Sequence, residues 1–130
     1  MLLALTALLA RAADDGAALL AAYDAVRVPL VDDRLADAKS AAGTLPGLPA
    51  DVATAASGLT LAADPTEARH AFGELSRVVI LDLAATGAPP GTKVFHCPMT
   101  SEWPYWLQPT AGIANPYMGH AMPTWAKGPP

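Results

Sequence analysis

At 130 residues the chain has room for one domain, which buries roughly two-thirds of the surface its unfolded form exposes. A net charge of −4 with no basic cluster argues against nucleic acid as a partner. The apolar fraction of 52% is inflated by alanine, which fills helices yet buries little area, so the expected core is one of thin, closely spaced helices.

The run MLLALTALLA, followed by Ala10-Arg11-Ala12, reads as a weak or truncated export signal over residues 1–12, the alternative being that the run is simply a helix. It lacks the usual positive start and is too short to span a bilayer. Nothing later is long and apolar enough to cross a membrane, so no membrane insertion of the mature domain, 13–130, is expected. A lone thiol in an exported chain is either reactive or occupied.

From residue 13 to 87 the pattern predicts four helices. Asp14 and Asp15 supply an N-cap for the first, with an apolar stripe of Leu19, Leu20, Tyr23, Val26 and Leu30. Pro29 should end or kink it near Val28. Asp32 and Asp33 punctuate. A second helix follows from about Arg34 to Thr44, with Leu35, Ala38, Ala42 and Leu45 as its face. Pro46-Gly47-Leu48-Pro49 turns the chain into a third helix carrying Val52, Ala55, Ala56 and Leu59. Asp64-Pro65-Thr66-Glu67 is the best helix start present, and the stripe Ala68, Phe72, Leu75, Val79 and Leu83 runs to the stop at Thr86-Gly87. The fold class expected is mainly α: a small up-down four-helix bundle with a short extended C-terminal metal-binding loop region over 91–127. His70, four residues before Glu74, is read as a solvated surface histidine.

The chemistry concentrates after Gly91. His96-Cys97-Pro98-Met99 is answered by Asn115-Pro116-Tyr117-Met118-Gly119-His120-Ala121-Met122. These stretches hold the sole cysteine, every methionine but the first residue, and both histidines other than His70. All aromatic side chains except Tyr23 and Phe72 fall between Phe95 and Trp125. Thiolate, thioether and imidazole donors select copper(I) and similar soft ions over magnesium or calcium. Lys93 to His96 reads as extended, which turns Cys97 and Met99 to one side and His96 to the other. The second stretch has two readings. If extended, Met118, His120 and Met122 share a face; if a helical turn, Met118 and Met122 are neighbours and His120 points away. An inert buried cysteine with gap-filling methionines is the plain alternative.

The tail resembles a family of exported heavy-metal-binding domains, found alone or appended to periplasmic adaptor subunits of copper and silver efflux pumps. The resemblance is carried by Cys97-Pro98-Met99, Trp106-Leu107, Asn115-Pro116-Tyr117, Gly119 and Met122, with Arg69, Phe72, Leu75 and Ser76 matching the preceding helix. Two departures stand out: Trp125 sits where the family often has a second cysteine, and the loop between Met99 and Trp106 is short and carries Trp103 and Tyr105. The resemblance implies a periplasmic or otherwise exported, non-enzymatic protein that sequesters copper(I), or hands it to an efflux adaptor or sensor in metal resistance. Cys97, Met99 and Met122 are the primary ligands on this reading, with His96, Met118 and His120 as candidates for the remaining position. Silver(I) and zinc are the alternative ions. Two rival functions are weighed: an interaction module whose aromatic tail docks a partner beside an inert cysteine, and an enzyme using Cys97 as a nucleophile or redox thiol activated by His96.

Overall fold

The computed structural model describes residues 2–44, 48–100 and 103–126. Four α-helices, α1 (Leu2–Val31), α2 (Leu35–Gly43), α3 (Ala50–Thr60) and α4 (Pro65–Thr86), precede two short strands, β1 (Lys93–His96) and β2 (Tyr105–Gln108). A 3-10 turn, Gly119–Ala121, follows. The protein is thus mainly helical with a small two-stranded sheet.

Three of the four helices lie where the sequence puts them, because their ends carry explicit signals. In α4 the Asp64 carboxylate accepts from the Glu67 N–H at 2.8 Å, Pro65 occupies the first turn, and Gly87 leaves at φ 103°. Glu67 reaches back to the Ala63 N–H at 2.8 Å, closing a reciprocal cap. Pro49 caps α3, and Arg34 and Thr44 flank α2. Every stripe residue expected on α1, α3 and α4 is buried, as are Ala38 and Ala42 of α2. Leu45 and the Pro46-Gly47 part of the turn lie outside the described residues.

α1 departs from expectation at both ends. It begins at Leu2 rather than at Asp14, so the boundary expected after residue 12 falls inside a continuous helix of 30 residues. Leucine and alanine are strong helix formers and nothing between Leu2 and Asp15 breaks them, so the two aspartates sit mid-helix instead of capping. The opening turns expose Leu2, Leu3, Leu5 and Leu8. Among the described residues no helix is long and apolar enough to cross a membrane. At the other end Pro29 stays inside the helix, which continues to Val31. The Pro29 carbonyl accepts from the Arg34 N–H at 2.8 Å, and the Leu30 carbonyl accepts from the Arg69 guanidinium at 2.9 Å. The bond that proline cannot donate is the one to the Ala25 carbonyl. Ala25 lies on the exposed side of the helix, where water can take its place, while the last-turn carbonyls of Pro29 and Leu30 find these other donors.

Successive helices pack on each other and α1 also packs on α4, while β2 lies against α4 and α1. β1 and β2 pair antiparallel with Phe95 opposite Trp106 and His96 opposite Tyr105. β2 is not foreseen from sequence, since four residues bounded by prolines give little periodicity. Phe95, Cys97, Trp106, Leu107 and Tyr117 join the helical residues in one core, so the tail is not a separate site layered on a finished scaffold. Tyr23 shows the join at atomic level. Its hydroxyl shares a 2.7 Å hydrogen bond with Ser76 of α4 and accepts from the Leu107 N–H of β2 at 3.2 Å. Burial outweighs these bonds and pushes its pKa far above the usual phenol range.

Between α3 and α4 a different arrangement destabilises the fold. Asp82 faces Asp51, and among the described residues no N–H or hydroxyl donor reaches its buried Oδ2. Desolvation first, the Asp51 charge second, and a hydrogen bond that the two carboxyls can share only when one keeps its proton, raise the Asp82 pKa. The folded state then holds a proton that the unfolded state releases, so stability falls as pH rises from the ordinary aspartate range through the raised value. Asp82→Asn should therefore raise the melting temperature at neutral pH, and the gain should vanish in acid where both forms are neutral. Thermal melts of the two proteins across pH check this.

Candidate functional site

The six predicted donors occupy distinct surroundings. Cys97 follows β1, donates its N–H to the Pro104 carbonyl at 2.8 Å, and is completely buried. Tyr117, a member of the same buried core, has its pKa raised chiefly by burial and then by Tyr23. Met118, the next residue in the chain, is half-buried and packs on the same core. Met99 sits in a turn and is 59% exposed. Cys97 and Met99 therefore do not present to a common side. The extended stretch ends at the bond to Pro104, and Pro98-Met99 bends away.

His96 lies across the strand pair with its ring 5.1 Å from that of Tyr105. His120 and Met122 are on the surface, the latter 38% exposed. The backbone of the second stretch turns instead of extending: Gly119 N–H donates to Asn115 O, and Ala121 N–H to Met118 O, each at 3.2 Å, with Met118 and Met122 at the two ends of the 3-10 turn. Among the described residues no three of His, Cys, Asp and Glu gather as a metal site, so any soft-metal centre must draw on the methionine sulfurs.

What holds the second stretch is a network that sequence reading mostly passed over. Asn115, fully buried, donates to the Trp125 carbonyl at 2.7 Å and accepts from the N–H groups of Tyr117 and Met118 at 2.8 and 3.3 Å. Its own N–H donates to Pro123 O at 2.7 Å. One side chain therefore closes the loop from 115 to 125. Gln108 does the same for the preceding loop. Its Oε1 accepts from Trp106 Nε1 and the Ala114 N–H at 2.9 Å each, while its amide donates to Thr110 and Gly112 carbonyls. The Tyr117 hydroxyl donates to Tyr105 O at 2.7 Å.

A second anchor spans the whole molecule. Asp33, at φ 55°, pairs with Arg69 of α4 and accepts from the His120 N–H at 3.0 Å. Arg69 also donates to the Pro116 carbonyl at 3.0 Å. The His120 N–H first, then Arg69, hold the Asp33 carboxyl below its usual range. Arg27, buried and paired with Asp24, donates to Ala114 O at 3.1 Å. The pairing signal for Asp33 and Arg69 is absent from the sequence, because the partners are 36 positions apart.

Chemically, the region offers a sealed thiol (Cys97), two half-buried donors (Met118 and His96), and three exposed ones (Met99, His120 and Met122). Each is a soft or borderline donor, and none supplies the oxygen shell a hard cation needs. No family model matches the chain, and neither a curated protein nor a solved structure matches it.

Proposed function

We propose that this is a non-enzymatic, exported binding protein for copper(I), with the helices as an up-down four-helix platform and the tail as the metal-bearing part. Short connections between successive helices, and the packing of α1 on α4, support the platform. The observation that supports the metal reading is that one sulfur from each donor-bearing stretch meets the same core, Cys97 as a member of it and Met118 packed against it. Cys97 is the anchor ligand, since a bound metal displaces the thiol proton outright. Met118, Met99 and Met122 supply thioethers, and His96 and His120 are the imidazoles within the same two stretches. Such a centre sequesters copper(I), or passes it to an efflux or sensing partner.

Complete burial of Cys97 favours one rival, an interaction module with an inert cysteine. Against that rival, Trp106 and Tyr117 of the aromatic tail are spent in the core, leaving Trp125 as its exposed large ring. Anaerobic titration with copper(I) against a competing chelator separates the two. Saturable uptake that Cys97→Ser abolishes, with silver(I) competing and zinc bound far more weakly, is the expected result. Equal uptake by wild type and Cys97→Ser, or none by either, overturns the assignment.

A further inference from the structure

The two edges of the small sheet are treated differently. On the helix side, the Leu107 N–H of β2 donates to the Tyr23 hydroxyl at 3.2 Å, and the Tyr105 carbonyl accepts from the Tyr117 hydroxyl at 2.7 Å. The β1 edge is open. Backbone groups alternate along a strand. The bond from Cys97 N–H to Pro104 O, in register with the pairing of Phe95 and Trp106, therefore points Lys93, Phe95 and Cys97 toward β2. Val94 and His96 aim their N–H and C=O groups the other way, with no hydrogen-bond partner among the described residues. Among the described elements β1 packs on β2 alone. We propose that this edge pairs with the same strand of a second copy, antiparallel and about a two-fold axis at Phe95, to make a four-stranded sheet. The proposal goes beyond the metal reading and does not depend on it.

One register uses the edge in full. Val94 opposite the partner's His96, and His96 opposite the partner's Val94, exchange four hydrogen bonds. Sliding two residues one way sets His96 opposite Thr92, whose N–H is already donated to the Pro89 carbonyl at 3.2 Å. Sliding the other way sets Val94 opposite Pro98, which has no N–H to give. An antiparallel pair centred on its own middle residue is self-complementary and closes at two copies.

The side chains suit a second copy. Lys93 is the only Lys, Arg, Asp or Glu between Asp82 and Glu102. In this register the two lysines fall at opposite ends of the pair, about 14 Å apart, where salt screens them. Val94 meets the partner's His96 on a face where both are half-buried in the single chain. That row continues onto Tyr105, whose ring lies 5.1 Å from that of His96. The two Cys97 residues are also about 14 Å apart, beyond disulfide reach, so the pairing needs no oxidation. An unrelated strand finds the same four backbone groups, but no charge on the edge selects it, whereas the chain's own strand matches by symmetry. Two strands form a marginal sheet, and four relieve that. The contact is small, so the dimer is weak and reversible.

The test uses the full chain, metal-free, with and without reductant. Sedimentation equilibrium should show monomer and dimer in exchange, indifferent to reductant. Amide hydrogen exchange followed by NMR over the same concentrations should show the Val94 and His96 N–H groups slowing as dimer accumulates, while those of Phe95, Cys97 and Leu107 stay protected throughout. Val94→Lys sets a cation beside the partner's His96 twice over and should weaken the dimer about tenfold. Leu61→Lys, at a position 82% exposed on the end of α3, should leave it unchanged. A chain that stays monomeric at about 1 mM, with both amides exchanging freely, overturns the proposal and leaves the edge to an unrelated strand. A dimer in which those amides still exchange freely, or one that Val94→Lys leaves at full strength, overturns it too, because another surface then holds the copies. Protection that persists in the dilute monomer does the same, because the chain itself then covers the edge. Should Val94→Lys fail to fold, the amide pattern of the wild type decides alone.

Discussion

Gly119→Ala should destabilise the protein by about 2–4 kcal/mol, the sum of the cost of a left-handed alanine and of overpacking at a closed contact. Gly119 sits at φ 55°, a conformation side chains rarely adopt. A Cβ built there overlaps the Asp33 carboxylate and lies 2.5 Å from Arg69 Nη2. Neither neighbour yields cheaply. Asp33 is bound to Arg69 and to the His120 N–H, and Arg69 is tied to the Leu30 and Pro116 carbonyls. Making room for one methyl group therefore breaks the clamp joining the α1–α2 turn, α4 and the second donor stretch. Gly112→Ala is the control: no atom crowds its Cβ and its φ is ordinary, so it should stay within about 0.5 kcal/mol of wild type.

The clamp also fixes a pH dependence. Because the folded-state pKa of Asp33 is depressed, its contribution is present above the ordinary aspartate range and disappears as pH falls through the lower, folded value. The gap between wild type and Gly119→Ala should narrow in strong acid. Chemical denaturation of the three proteins at neutral and acid pH measures both effects. Copper(I) retention by Gly119→Ala should fall as well, since Met118 and Met122 flank the distorted residue.

The contrast between what could and could not be read from sequence follows the range of the forces. Asp64, Pro65 and Gly87 act within a turn of their own helix, so the limits of α4 were legible before any coordinates. The stripes on α1, α3 and α4 were legible because burial repeats with the helical period. Pro29 misled because the one bond it removes, to the Ala25 carbonyl, falls on the exposed side of the helix, and Arg69 from α4 secures the helix end from outside. Asp33 read as punctuation, yet it anchors a residue 87 positions away. Asn115 was legible as a turn residue, but its bond to Trp125 was not. Gln108 carried no signal, since a glutamine at a strand end is ordinarily solvated. For Cys97 the ambiguity is chemical: a small apolar thiol and an anchor ligand are the same residue, and only the packing around it distinguishes a sealed position from an open one.

Asn115→Ala should cost about 2–3 kcal/mol, because it strands the buried Tyr117 N–H at about 1–3 kcal/mol and leaves the part-buried Met118 N–H and Trp125 carbonyl without their partner, at less each. The Tyr117 N–H loses its partner inside the fold, and the Trp125 carbonyl loses the tie that holds it to the loop. Asn115→Asp separates the two halves of that network. The carboxylate still accepts from Tyr117 and Met118, but it cannot donate to the Trp125 carbonyl, which it now faces charge to dipole. Full burial and this repulsion raise its folded-state pKa, so the variant binds a proton more tightly folded than unfolded. Its stability should rise as pH falls through the raised value, until the neutral acid donates to Trp125 and approaches wild type. Asn115→Ala should show no such recovery. At neutral pH both variants should hold copper(I) less tightly than wild type, because Met118 follows the loop that Asn115 closes. Restoration of copper retention in Asn115→Asp on mild acidification, measured under a chelator correction for pH, would tie loop closure directly to the metal. Retention equal to wild type in a demonstrably destabilised Asn115→Ala would remove Met118 from the ligand set.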